Sequence, residues 1–188
     1  MRAVLISIQP KWCELIASGK KTVEVRKTRP KLETPFKVYI YCTKPKGKND
    51  IGLCLDNGKV GYVFKRNYET AQHFGIPILS GKVIGEFVCD EIKTERPKSL
   101  YASHKTVINS CVPIQEIVDY VGENNFLYFW HISNLVIYDK PRELSEFYVS
   151  VKDHWETYDP SKYINGCWKK PLKRPPQSWC YVESGGVE

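Results

Sequence analysis

The order of apolar and polar residues predicts three strands in the first quarter of the chain. Residues 3–8 form a run of apolar residues that only Ser7 interrupts, which is typical of a buried strand. Residues 21–26 and 36–42 instead alternate between polar and apolar side chains, with the period of two of a strand that has one face on a core. The start of the chain is therefore predicted to be mainly β.

The strand predicted over residues 21–26 has one apolar and one charged face. Val23 and Val25 share the apolar face, which is expected on the core. Thr22, Glu24 and Arg26 then form a polar row, and this row is expected to face outward.

Two short helices are predicted from apolar residues at helical spacing. The first lies between Pro10, a residue suited to a first helical turn, and Gly19, a residue suited to a stop. The second is predicted within residues 112–121, where the apolar residues line one side. Neither is long enough to build a helical core alone.

Further strands are predicted along the rest of the chain. Residues 43–66 are expected to leave the main sheet as a hairpin, with a turn at residues 56–58 (Asp-Asn-Gly). Residues 81–92 form a long strand with a predicted bulge at Gly85, and residues 126–138 give one or two strands broken near Ser133.

These elements do not alternate regularly as strand, helix, strand. We therefore predict an α+β, mainly β fold: a small open barrel with two or three short helices.

The composition fits one globular domain. A chain of 188 residues with 42% hydrophobic residues can bury a core without metal or disulfide staples. We expect residues 1–188 to form a single domain with a docked basic tail near residues 160–188. No apolar stretch is long enough to span a bilayer and none resembles a signal peptide, so no membrane association is expected.

Cysteine and histidine usage gives little support to a metal site. The seven cysteines are scattered, without a CxxC pair, which favours reduced thiols and a cytoplasmic location. The four histidines lack paired ligand spacing, so neither metal nor cofactor is expected. Cys13 has no partner near it in sequence and is expected to be a packed thiol, not a nucleophile.

Positive charge is concentrated at the two ends of the chain. The net charge is +7, yet residues 1–50 carry 12 Lys and Arg against 4 Asp and Glu, whereas residues 86–159 carry 7 against 13. If the termini lie together, this charge forms one face suited to phosphate or another polyanion. Solvated surface lysines are the alternative.

The strongest local motif begins at Gly19 and continues through Lys21, Glu24 and Arg26. It resembles the G-x-K-x-x-E-x-R signature of the ASCH domain family, a relative of the PUA-like barrels. A looser resemblance extends over most of the first 147 residues, and the ending at residues 174–182 is similar to the tails of bacterial or phage-type members. It implies an open β-barrel with a cleft beside the first helix and an RNA or nucleotide ligand.

The motif also suits a binding site on physical grounds. Lys21 and Arg26 place two cations beside Glu24, which would hold the carboxylate ionised and oriented. We predict a ligand site at Lys20, Lys21, Glu24 and Arg26; the alternative is an ordinary surface ion pair that stabilises the rim.

Aromatic residues near cations extend this prediction. Trp12 and Trp179 are candidate stacking residues for a base. Phe126, Phe129 and Trp130 are expected in the core.

Some members of the family are amidohydrolases of acylated cytidine, which use a lysine, a threonine and a glutamate. Lys21 matches the lysine, but Glu24 stands where the threonine is expected, and residues 105–113 contain no carboxylate. We therefore favour a binder of RNA or of a modified nucleoside. The alternatives are a hydrolase or ribonuclease with Lys21 and Glu24 as catalytic residues, or a module that binds an acidic protein.

Overall fold

The computed structural model describes residues 2–100, 104–122, 125–150, 163–164 and 167–183. Within these ranges the chain forms four α-helices, where the sequence predicts two or three. They are α1 (Pro10–Ala17), α2 (Tyr68–His73), α3 (His104–Ser110) and α4 (Ile114–Val121). Short turns of 3₁₀-helix occur at Lys65–Asn67, Pro97–Ser99 and Leu144–Glu146.

Strands account for most of the regular structure. They are β1 (Arg2–Ile8), β2 (Val23–Arg26), β3 (Phe36–Cys42), β4 (Ile51–Asp56), β5 (Lys59–Phe64), β6 (Val83–Cys89), β7 (Ile92–Glu95), β8 (Leu127–His131), β9 (Ser133–Arg142), β10 (Tyr148–Ser150), β11 (Tyr163–Ile164), β12 (Cys167–Pro171) and β13 (Trp179–Glu183).

The strands form three sheets. An eight-stranded sheet has the order β11-β12-β10-β13-β1-β3-β6-β9, a second has the order β2-β8-β7, and β4 and β5 pair with each other. In the large sheet β1 runs parallel to β3 and antiparallel to β13. The fold is therefore a mixed, mainly β architecture whose sheets, in the described residues, do not close into a continuous barrel.

The main core lies between the large sheet, the second sheet and α1. Side chains from one face of β1 and β3 pack there with residues of α1 and with Trp130 of β8, which is fully buried. The opposite face of the large sheet is also covered, by residues such as Phe147 and Val182. Burial on both faces explains why β1 is a nearly uniform apolar run.

The orientation of β2 differs from the sequence prediction. Val23 and Val25 do pack on an apolar cluster, but this is a separate cluster with α4 and Phe129. Glu24 pairs in register with Trp130, so the charged row faces the molecular interior and is not exposed. Glu24 retains only 5% of its exposure. Both faces of β2 are therefore covered: helix α4 packs on the apolar face, and the charged face is turned toward the interior.

Local turns follow the sequence closely. The turn between β4 and β5 has positive φ angles at Asn57 (49°) and Gly58 (73°), as a tight hairpin requires. The pairing of β6 with β9 shifts register between Val83 and Gly85, next to the predicted bulge. Phe126, expected in the core, is instead 46% exposed and lies against the guanidinium of Arg96.

Candidate functional site

A cleft of about 740 Å³ opens beside α1. It lies where the end of β1, strand β2, helix α4 and the segment after β3 meet. Five cations, two carboxylates and two aromatic rings contribute to its walls: Lys11, Arg26, Lys27, Lys44, Lys46, Glu24, Glu116, Trp12 and Tyr120. The cleft therefore has an excess of positive charge and falls within the size range of small-ligand sites, about 300–1,000 Å³.

Glu24 connects the two cations of the motif. Its Oε1 lies 3.1 Å from Arg26 Nη2, and its Oε2 lies 3.3 Å from Lys21 Nζ. Glu24 Oε2 makes no hydrogen bond with the described residues, although Lys21 Nζ lies 3.3 Å away. The three side chains are almost entirely buried, so this is not the exposed surface ion pair that the sequence left as an alternative.

Lys21 lies behind the cleft wall and is not among its lining residues. Its Nζ donates hydrogen bonds to the backbone oxygens of Val23, at 2.8 Å, and of Ser110, at 2.6 Å. With Glu24 as a third neighbour, the amine is directed at oxygen acceptors of the protein itself. A general base must lie within hydrogen-bond reach of the proton that it removes, and Lys21 does not line the cleft.

Arg26 is the motif cation that faces the cleft. Its Nη2 also donates to the backbone oxygen of Ser7, at 2.7 Å, and its Nε has no hydrogen-bond partner in the described chain. The guanidinium is thus fixed on two sides by Glu24 and by β1. A planar, oriented guanidinium is suited to recognise a phosphate or a carboxylate.

Trp12 and Lys20 differ in how they relate to the site. Trp12 is half-buried and lines the cleft, and Lys11 Nζ and Lys21 Nζ lie 4.1 and 5.4 Å from its ring centroid. Lys20 is exposed and does not line the cleft, although the sequence predicts it as a ligand residue.

The tail contributes to the cleft through residues other than Trp179. The ring of Trp179 packs against Trp130 and its Nε1 donates to Thr28 Oγ1 at 2.9 Å, outside the cleft lining. Gln177 and Ser178, just before β13, line the cleft instead. Trp179, the predicted stacking residue, is thus not among the residues that line the cleft, although its indole donates to Thr28, which is.

Sequence reasoning also missed several cations. Lys27 follows the motif directly and its Nζ lies 4.5 Å from the ring centroid of Tyr120 in α4. Lys44 and Lys46 come from the segment after β3, and Glu116 from α4. For the three lysines the only sequence signal is the basic character of residues 1–50, and for Glu116 there is none, because distant segments bring these residues together.

Other candidate chemistry finds little support in the part of the chain that the structure describes. Cys13 is fully buried, and burial raises the pKa of its thiol well above the usual value, which argues against a nucleophile. No cluster of three or more His, Cys, Asp or Glu side chains occurs in those residues. None of the described helices has the length and apolar character needed to cross a bilayer.

The fold defines a class of protein: a PUA-like, mainly β domain. A family model for the ASCH domain matches residues 6–163, so this chain belongs to the ASCH domain family. ASCH domains are in general RNA-binding domains of PUA-like fold.

Solved structures with the same fold include the ASCH protein of Zymomonas mobilis, which is 19% identical with a TM-score of 0.56 and aligns over 96% of this chain and 87% of its own. A variant of that protein, 18% identical with a TM-score of 0.56, aligns over 96% of this chain and 90% of its own. At this identity the likeness concerns the fold. A comparison with curated proteins gave no match.

Proposed function

We propose that the cleft beside α1 binds single-stranded RNA, or a modified nucleoside within it, without transforming it. The observation that carries this proposal is the guanidinium of Arg26, which Glu24 and the Ser7 backbone oxygen fix at the wall of a cleft with a cationic rim. A fixed guanidinium loses little conformational entropy when it binds an anion, so it favours specific binding over diffuse attraction.

The remaining cleft residues supply the other contacts that a nucleotide needs. Lys27, Lys44 and Lys46 are exposed at the rim, where they neutralise backbone phosphates. Trp12 and Tyr120 offer ring faces for base stacking, the usual way in which single-stranded RNA is held.

Binding is favoured over hydrolysis by the contacts of Lys21. Its amine donates to two backbone oxygens and lies beside Glu24, and Lys21 itself does not line the cleft. A general base needs a free lone pair within reach of the substrate. Lys21 in this role supports the position of Glu24 and Arg26 and does not touch the ligand.

RNA titration tests the proposal. The probe is a fluorescein-labelled dodecauridylate, and the readout is fluorescence anisotropy over salt from about 50 to 200 mM. Lys27→Ala and Lys44→Ala should each weaken binding and reduce the slope of log K against log salt by about 0.7, the value for one lost phosphate contact on a single strand. Lys140→Ala is the matched control, because Lys140 is an exposed lysine outside the cleft.

Arg26→Lys tests the oriented guanidinium, because lysine retains the charge but loses the planar fork. We expect a loss of affinity of about 1–3 kcal/mol, the usual contribution of a charge-assisted hydrogen bond. Wild-type affinity in the Arg26→Lys, Lys27→Ala and Lys44→Ala proteins would reject the cleft as the binding site. Tight binding to an acidic polypeptide in place of RNA would favour the protein-interaction alternative.

The enzyme alternative has its own test. Incubation of the protein with N4-acetylcytidine should release no acetate, because Lys21, the residue that matches the hydrolase lysine, does not line the cleft. Turnover of about 1 per second or more, abolished by Lys21→Ala, would establish the hydrolase instead.

A further inference from the structure

A second surface lies on the hairpin formed by β4 and β5. We propose that a single-stranded RNA bound in the cleft continues onto this hairpin, where its flanking bases stack on Tyr62 and Phe64. This inference rests on the proposed function and adds a second contact surface to it.

The two rings share one face of the hairpin. Tyr62 pairs in register with Leu53, and Phe64 with Ile51, so these side chains project to the same side. The inner part of this face is covered, since Leu53 is fully buried in the main core. The outer end is open: Ile51, Tyr62 and Phe64 are 48%, 55% and 39% exposed.

Cations surround the open end of the hairpin. The guanidinium of Arg66 lies 4.8 Å from the ring centroid of Phe64. The backbone amide of Arg66 donates to the Lys48 backbone oxygen at 3.0 Å, and Lys65 Nζ donates to the Lys46 backbone oxygen at 3.0 Å. These hydrogen bonds hold the loop that carries Lys46 and Lys48 against the end of β5. Charge and exposed rings therefore occur at one place.

Nearby carboxylates are already engaged. Asp50 Oδ2 accepts a hydrogen bond from the Gly47 amide at 2.6 Å. Glu14 Oε2 accepts one from the Tyr62 hydroxyl at 3.3 Å. These two carboxylates therefore have polar partners, while the guanidinium of Arg66 lies against Phe64.

The hairpin is continuous with the cleft. Lys44 and Lys46 line the cleft and belong to the segment that leads into β4. On the other side, the Tyr62 hydroxyl reaches Glu14 of α1, the helix that carries Trp12. The segment that carries Lys44 and Lys46 and the helix that carries Trp12 thus both connect the cleft to this hairpin.

Ring spacing and charge favour single-stranded RNA over a protein partner. Residues two apart on a strand are about 7 Å apart, close to two steps of about 3.4 Å between stacked bases. Exposed rings interleaved with cations are the usual composition of a surface for single-stranded nucleic acid, because rings stack on bases while cations neutralise phosphates.

Two RNA lengths separate this surface from the cleft. A labelled triuridylate is short enough to occupy the cleft alone, whereas a dodecauridylate also reaches the hairpin. Phe64→Ala should weaken dodecauridylate binding at least about fivefold, the loss of one stacked base, and should leave triuridylate binding unchanged. Phe64→Trp, which keeps a stacking face, should restore the affinity, and Phe64→Leu, which keeps only apolar bulk, should not.

Phe74→Ala is the matched control, since Phe74 is 74% exposed beyond α2 and is not part of this face. Arg26→Lys reports on the cleft independently and should weaken binding of both RNAs.

Unchanged dodecauridylate affinity in Phe64→Ala, with Arg26→Lys still impaired, would overturn the hairpin proposal and leave the proposed function standing. The hairpin proposal would also be overturned if the protein self-associates and Phe64→Ala abolishes that self-association while RNA binding stays intact. That result would assign the surface to a second copy of the chain. Absence of binding by the wild-type protein to either RNA would overturn both.

Discussion

Replacing Lys21 by methionine tests whether this buried ammonium stabilises the fold. Its side chain is 1% exposed, and its Nζ lies 3.3 Å from Glu24 Oε2. With an effective dielectric constant of about 20, the attraction across that distance is about 5 kcal/mol before desolvation is subtracted. Removal of one partner from a buried ion pair usually costs about 3–5 kcal/mol. Because Arg26 still neutralises Glu24 in the variant, we expect the lower end, about 3 kcal/mol.

Urea unfolding followed by tryptophan fluorescence measures this loss. Typical domains are stable by about 5–15 kcal/mol, so a loss of about 3 kcal/mol moves the midpoint by one molar or more at the usual slopes. Lys20→Met is the matched control, because the neighbouring Lys20 is exposed. If Lys21→Met is as stable as the wild-type protein or more stable, the reasoning is refuted. Burial of the lysine would then reduce the free energy of unfolding, as expected of a group retained for chemistry.

Three further predictions concern other parts of the fold. Burial acts to raise the pKa of Glu86, but the hydrogen bonds that the carboxylate accepts, chiefly from Lys37, outweigh burial and lower its pKa below the usual value of 4.5. The carboxylate therefore stabilises the fold above pH 4.5, and this stabilisation is lost as the pH falls through the lower pKa of the folded state. In Glu86→Gln the melting temperature should consequently fall less steeply as the solution is acidified. Burial raises the pKa of Cys89 to about 12, so mass spectrometry should find it unalkylated by iodoacetamide at mildly alkaline pH in the native protein and alkylated in urea. A Cβ at Gly85 would clash with the backbone oxygen of Val136 in β9, so Gly85→Ala should destabilise the domain by about 1–3 kcal/mol, as measured by thermal unfolding. Gly61→Ala is the control, because a Cβ at Gly61 would meet only one sulfur atom, at 3.9 Å, and should have little steric effect.

The sequence predicts strands better than it predicts which face of a strand is buried. β1 and β3 follow directly from their apolar patterns, and β3 has the predicted bounds. For β2 the alternation identifies two faces, but both are covered, and the charged one lies inward. Periodicity cannot show this, because it depends on Trp130 and α4, which come about 100 residues later in the chain.

The site was predictable only in part for the same reason. Lys21, Glu24 and Arg26 lie within one motif, so local sequence brings them together. Lys44 and Tyr120 reach the same cleft from two distant segments, and only the tertiary fold defines that meeting point. Short helices such as α2 and α3 were missed because six or seven residues are too few to display a clear apolar stripe.

The position of β13 has a consequence for the order of synthesis and folding. This strand, made from residues 179–183, pairs with β1, made from residues 2–8, and lies between β1 and β10 in the large sheet. Since β1 is made before β13 and the ribosome adds about 5–20 residues per second, β1 gains this neighbour only after residues 9–178 have been made. Pairing across such a separation is slow. Gln177 and Ser178, which line the cleft, are made just before β13, so a nascent chain completes its cleft only when β13 joins the large sheet.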